Sequence, residues 1–156
     1  MPPPTDPSTD PYNGFTVEVI GTRPRSLSEN EFIRAGLFEA ARIVVVQRSS
    51  LRIPLESLAT TLAPMFRALE SVDRAAHRLL IDSRVAPGQN DPEFEKEFNR
   101  LRTRLLTGWL RSAVLVNTIP GHLQLQRHQR EGLASEVFMD PNKAVNWLLL
   151  PVRPGR

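Results

Sequence analysis

Pro54, Pro92 and Pro141 each stand where a helix can begin, and Pro151 stands where one must stop. At the first helical position the missing N–H costs nothing, because first-turn amides have no partner within the helix, whereas an interior proline removes a ladder bond. Two of these prolines follow aspartate, in Asp91-Pro92-Glu93 and Asp140-Pro141-Asn142. An aspartate in that place accepts a hydrogen bond from a free first-turn amide. Glu93, Glu95 and Glu97 then precede Arg100, Arg102, Arg104 and Arg111, so charge sign follows the helix dipole. Ser28-Glu29-Asn30-Glu31 has the form of a capping box. This punctuation, with apolar residues spaced between the marks, predicts an all-α chain.

The expected first helix spans about 29–48, with Phe32, Ile33, Leu37, Phe38 and Ile43 to Val46 covering most of its circumference near the C-terminal end, which implies burial on more than one side. From Leu55 to Leu79 an apolar residue recurs every three or four positions. Pro64 lies inside that stripe and predicts a kink or two abutting helices. Val85 to Asn90 reads as a loop. A third helix carries Phe94, Phe98, Leu101, Leu105, Trp109, Ala113 and Val116 and ends at Asn117–Gly121; a fourth is expected over about 122–138, and a short last one from Pro141. Phe15–Ile20 alternates, which fits at most one short strand or an extended lead-in. The expected fold is a four- to five-helix bundle or orthogonal helical domain. It divides into a flexible proline-rich arm (1–13), an extended lead-in (14–27), one helical domain (28–150) and a tail (151–156).

The chain contains no cysteine, which removes disulfides, thiol catalysis and thiolate-bound zinc. No apolar run approaches the roughly 18 residues of a membrane span, and the N-terminus has no secretory pattern, so a cytoplasmic address is expected. Phosphate-loop, dinucleotide and nucleophile-elbow patterns are all missing. His77, His122 and His128 are too scattered for a zinc motif, and His128 with Glu131 supplies only two ligands. Glu93, Glu95 and Glu97 are spaced around a helix rather than aimed together. No catalytic residue, metal site or cofactor is therefore expected, and the chain reads as a non-enzymatic interaction protein.

Only two of the twenty basic residues, Lys96 and Lys143, are lysines, and the formal net charge is a modest +3. Arg100, Arg104 and Arg111 are near one another by helical spacing, as are Arg67, Arg74 and Arg78. An antiparallel pairing of their two helices would merge them into one stripe able to contact nucleic acid, the alternative role being an accessory subunit of a larger assembly. Solvated helix faces explain the same arginines, because no aromatic residues for base stacking are interleaved with them. Pro54–Ala63 begins like a helix-turn-helix, but Pro64-Met-Phe-Arg lacks the turn and recognition helix.

Glu136-Val-Phe138-Met-Asp140-Pro-Asn-Lys143-Ala-Val-Asn-Trp147-Leu148, followed by Pro151, resembles the start of the toxin-binding domain in the Xre/MbcA/ParS antitoxin family. In that family a helix ends in a Val-Phe-type pair, an Asp-led cap follows, and a Lys-Ala-x-x-Trp-Leu helix runs into a proline. The resemblance covers about a fifth of the chain and implies an all-helical antitoxin that docks onto a toxin acting on NAD and often represses its own operon. Phe138, Lys143, Trp147 and Leu148 become the candidate partner-binding residues. The family's N-terminal helix-turn-helix and its glycine-rich continuation have no counterpart in this sequence. Core packing of two helices accounts for Phe138, Trp147 and Leu148 equally well.

Overall fold

The computed structural model describes residue 20 and residues 23–88, 91–117 and 135–152. These residues form a mixed six-stranded sheet with helices on both faces, which overturns the all-α, helical-bundle expectation. The strands are β1 (Arg25–Glu29), β2 (Ile33–Phe38), β3 (Ile43–Arg48), β4 (Arg78–Asp82), β5 (Ser112–Leu115) and β6 (Glu136–Phe138), in sequential spatial order. β1 to β3 form an antiparallel meander, and β3 to β6 run parallel. The helices are α1 (Leu58–Leu69), α2 (Pro92–Leu106) and α3 (Pro141–Leu148).

The expected helix 29–48 is a hairpin. Ile33, Ala35, Leu37, Val44 and Val46 face one core, while Phe38, Ile43 and Val45 face the other. Two-sided burial was read correctly, but a strand covered on both faces is apolar without a period, so its pattern mimics a fully buried helix. Branched Ile43-Val-Val-Val46 favours the extended form. The supposed capping box is a strand turn. The Asn30 side-chain oxygen accepts from the amides of Phe32 and Ile33 at 2.8 and 3.0 Å, and its amide donates to the Thr61 carbonyl at 3.1 Å, tying the turn to α1.

α1 buries Leu58, Leu62, Met65, Phe66 and Leu69 along one stripe and is a single helix through exposed Pro64 rather than two abutting ones. It ends before Val72, and the remainder of the expected stripe becomes a short turn and β4. α2 starts as expected: Asp91 accepts from the Glu93 amide at 3.1 Å, with Pro92 in the first turn. It stops at Leu106, and Ala113 belongs to β5. α3 has the same start, Asp140 accepting from the Asn142 amide at 2.8 Å. Residues 136–138 of the expected fourth helix are strand and Ser135 before them is irregular; residues 122–134, the proline-rich arm and most of Phe15–Ile20 lie outside the described residues.

α1 and α2 cover one face of the sheet and α3 the other, giving two cores. α1 and α2 each return the chain from the end of one parallel strand to the start of the next, so they run parallel to each other. The antiparallel arrangement considered from sequence does not occur.

Candidate functional site

β3, β4 and β5 end together, and side-chain alternation along each strand decides what faces the α1/α2 layer there. Val44 and Val46 are in that core, so Arg48, two residues on, points to the same side; Ile81 and Val114 line the neighbouring strands. Between this end of the sheet and the two helices lies a cavity of about 310 Å³. Leu62, Met65 and Phe66 of α1 and Phe94, Phe98, Leu101 and Arg102 of α2 form its helical wall, and residues 83–88 after β4 contribute Ser83, Arg84 and Gly88. Arg52 holds that loop by donating to the Gly88 carbonyl at 3.2 Å. Cavities at the carboxyl ends of parallel strands are the usual ligand position in open α/β sheets.

Charged side chains line the cavity beside its apolar ones. The Arg48 and Arg102 guanidinium carbons lie 5.1 and 4.9 Å from the centroid of the same ring, Phe98, which stacks on Phe94 at 5.7 Å. Arg48 is 5% exposed. Burial, reinforced by the neighbouring Arg48 charge, pushes the Arg102 pKa down to about 10, with Glu95 acting in the opposite sense. Both cations are thus held against one ring, where each is attracted by the π face and repelled by the other.

A second polar group fixes the mouth. Asp82, 2% exposed, accepts from the Arg84 backbone amide at 3.1 Å and from its Nε and Nη2 at 3.0 and 2.9 Å. The side-chain bond to Asp82 raises the Arg84 pKa above its ordinary value. Gln47 donates to Asp82 at 3.4 Å and accepts from Arg34 Nε at 3.0 Å, so a polar row crosses β2, β3 and β4 on the face opposite the cavity. Asp82 therefore anchors Arg84, which wraps round the strand end to line the cavity.

No family model, no curated protein and no solved structure matches the chain. The C-terminal antitoxin resemblance accordingly rests on its own residues. There, Glu136–Phe138 is a strand where the family pattern implies a helix end.

The candidate residues from sequence fall in several places. Phe138 and Trp147 pack together with ring centroids 5.7 Å apart, Leu148 is wholly buried beside them, and Lys143 is exposed on α3. The six arginines do not form one stripe. Arg74 and Arg104 lie over Trp109 and Phe66, Arg100 pairs with Glu97, and Arg67 is exposed in the last turn of α1. Arg78 starts β4 rather than belonging to a helix, and it and Arg111 lie on the opposite face, Arg111 over the Trp147 ring at 4.8 Å. Among the described residues no cluster of three metal-ligating side chains occurs; His128 and Glu131 are outside them.

Sequence reasoning missed Arg48, Arg102 and the Asp82–Arg84 pair. A signal existed in a polar or charged group closing an all-apolar branched run, as Gln47-Arg48 closes Ile43 to Val46 and Asp82 closes Leu79 to Ile81. It is legible only once those runs are recognised as buried parallel strands.

Proposed function

We propose that this protein is a non-enzymatic binding module that holds a small anionic ligand in the cavity between the α1/α2 layer and the ends of β3 to β5. The observation that carries this reading is the placement of Arg48 and Arg102 against the single ring of Phe98 in the lining of that cavity. Drawing two guanidiniums together in a partly desolvated site is costly, and such placements concentrate at functional sites. An anion that reaches either guanidinium gains charge-assisted hydrogen bonds. The test is saturation binding of an environment-sensitive anionic dye such as anilinonaphthalene sulfonate. One saturable site that Ala86→Trp, at the cavity mouth, abolishes without loss of folded structure supports the reading; binding indifferent to that substitution sinks it.

A second reading, docking of another protein, draws on a different observation. Of the six exposed large apolar side chains among the described residues, Met139, Leu149, Leu150 and Val152 flank α3, close to exposed Lys143. In its antitoxin-like form the partner is a toxin. Replacing Leu149 and Leu150 by glutamate abolishes that association if the segment makes the contact, and undiminished association removes it. Contact with nucleic acid draws on the arginines alone, and binding that persists as salt rises counts against it.

A further inference from the structure

We propose that the end of the sheet where β3, β4 and β5 begin is a docking surface for an anionic lipid bilayer. The cavity lies at the opposite end, so this inference is independent of the ligand reading.

The surface follows from the topology. α1 and α2 run from the carboxyl ends of the parallel strands back to their amino ends, and α3, which follows β6, does the same. The C-termini of all three helices therefore meet the turn between β2 and β3 at one end of the sheet. Printed on the backbone are the bonds that join them: the Arg78 amide donates to the Arg42 carbonyl at 2.9 Å, Leu79 to Arg111 at 3.0 Å and Leu110 to His77 at 3.0 Å. Arg111 Nη2 reaches the Pro151 carbonyl at 3.3 Å.

Charge gathers at the same end. Cations favour helix C-termini, and in a fold whose helices are parallel this local preference accumulates into a difference between two ends of the molecule. Arg67 and Arg104 stand in the last turns of α1 and α2, Arg74 in the turn between α1 and β4, Arg78 at the start of β4, and Arg42 and Arg111 directly before β3 and β5. Among the described residues the acids at this end are Glu39, which Arg25 holds at 2.6 Å, Glu70, Asp73 and, one register further in on β6, Glu136. The crowding is felt at Arg74, whose pKa is lowered by burial and by the neighbouring Arg104 charge.

Apolar exposure coincides with the charge. Of the six exposed large apolar side chains among the described residues, Leu110, Leu149, Leu150 and Val152 are at this end, and only Leu51 and Met139 are at the other. The bond from Arg111 to Pro151 ties the segment bearing Leu110 to the one bearing the other three.

Aliphatic side chains set among arginines match an anionic bilayer, whose interface takes up the leucines while the guanidiniums stay with the headgroups. A nucleic-acid backbone gains nothing from exposed leucines. The rings that bases would stack on are covered, Phe66 by Arg104, Trp109 by Arg74 and Trp147 by Arg111. The protein-docking reading shares Leu149, Leu150 and Val152 with this one but leaves the arginines unexplained.

The test is co-sedimentation of the full chain with vesicles of phosphatidylcholine, alone or with phosphatidylserine added, at low and at physiological salt, beside titration of a labelled DNA duplex. Binding to the phosphatidylserine vesicles is expected to be about tenfold or more tighter than to the neutral ones and to weaken as salt rises. Each exposed arginine near a charged bilayer is worth about fivefold, so Arg42→Gln with Arg67→Gln lowers affinity by about twenty-five-fold. Leu149→Gln with Leu150→Gln lowers it by about tenfold. Arg100→Gln, on the middle of α2 and paired with Glu97, is the control and changes affinity by less than about twofold. Equal binding to neutral and charged vesicles, or none to either, overturns the inference. So does an affinity that the Leu149 and Leu150 changes leave unmoved, and so does duplex binding tighter than vesicle binding, which assigns the arginines to nucleic acid. Dye binding in the cavity is measured on the same samples, so failure here and failure of the ligand reading are distinguishable. Circular dichroism of each variant separates lost binding from lost folding.

Discussion

The guanidinium of Arg74 lies 5.1 Å from the centre of the Trp109 ring, and its Nη1 donates to the carbonyls of Arg104, Leu105 and Thr107 at 2.9, 3.1 and 2.9 Å. The Trp109 indole donates to the Leu105 carbonyl at 2.7 Å. Together they close the C-terminal end of α2, whose last carbonyls have no partners within the helix. Arg74→Ala is expected to lower unfolding free energy by about 1–3 kcal/mol, the range for hydrogen bonds from a charged donor. Urea denaturation measures it, and a loss below about 0.5 kcal/mol, typical of an ordinary surface substitution, removes the capping role.

Gly108 follows the end of α2 with φ of 95°, a conformation that side-chain-bearing residues avoid. An added Cβ would meet nothing nearer than Arg74 Cδ at 3.8 Å, so the cost of Gly108→Ala is one of backbone strain rather than collision. The expected loss is about 1 kcal/mol. Gly88→Ala, with open space around it, is the control and is expected to be nearly neutral. Equal effects at the two positions refute the distinction.

Arg102→Met should raise the melting temperature while it abolishes the anion site. The substitution keeps an apolar stem against Phe98 and removes a guanidinium that burial and Arg48 both disfavour. A gain near 1 kcal/mol corresponds to about 2–4 °C in a domain of this size. A fall in melting temperature means that attraction to Phe98 and Glu95 outweighs burial.

The same residue sets a pH dependence of definite sign. Its folded pKa is near 10, well below the ordinary arginine value, so between the two the unfolded chain binds more protons and Arg102's contribution to stability rises with pH. Below about pH 10 that contribution is constant and unfavourable. The stability advantage of Arg102→Met over the parent chain should therefore shrink as pH is raised from 9 to 11. An advantage that stays flat over that interval places the folded pKa higher than the structure implies.

Asp82→Asn should cost more than any of these single changes. It removes the charge that holds Arg84 by two side-chain bonds and disturbs Gln47 as well. A broken buried pair costs about 3–5 kcal/mol, and since the Arg84 side chain is 31% exposed, about 2–4 kcal/mol is expected. The mouth of the cavity loosens with it, so dye affinity falls in step. Full stability with weakened binding would show Asp82 to position Arg84 only.

How far the fold was legible depended on how far apart its determinants lie in the chain. The starts of α2 and α3 were readable because Asp91 and Asp140 cap amides only two residues away, and Pro92 and Pro141 act within the same turn. Ser28–Glu31 was misread as a helix start because a strand turn, here closed by Asn30, satisfies free amides through the same kind of side-chain bond, and only the pairing of β1 with β2 distinguishes them.

By itself, then, the sequence determined the local punctuation, the absence of thiol chemistry and the two-sided burial of residues 43–46. Tertiary structure decided that Ile43–Arg48 is a strand, because its partners in β2 and β4 lie outside any local window and continuous burial erases the period of two. It also decided the site. Arg102 meets Phe98 one turn away on α2, but Arg48 lies across an entire β-α-β crossover and reaches the same ring only because the end of β3 is packed beneath that helix.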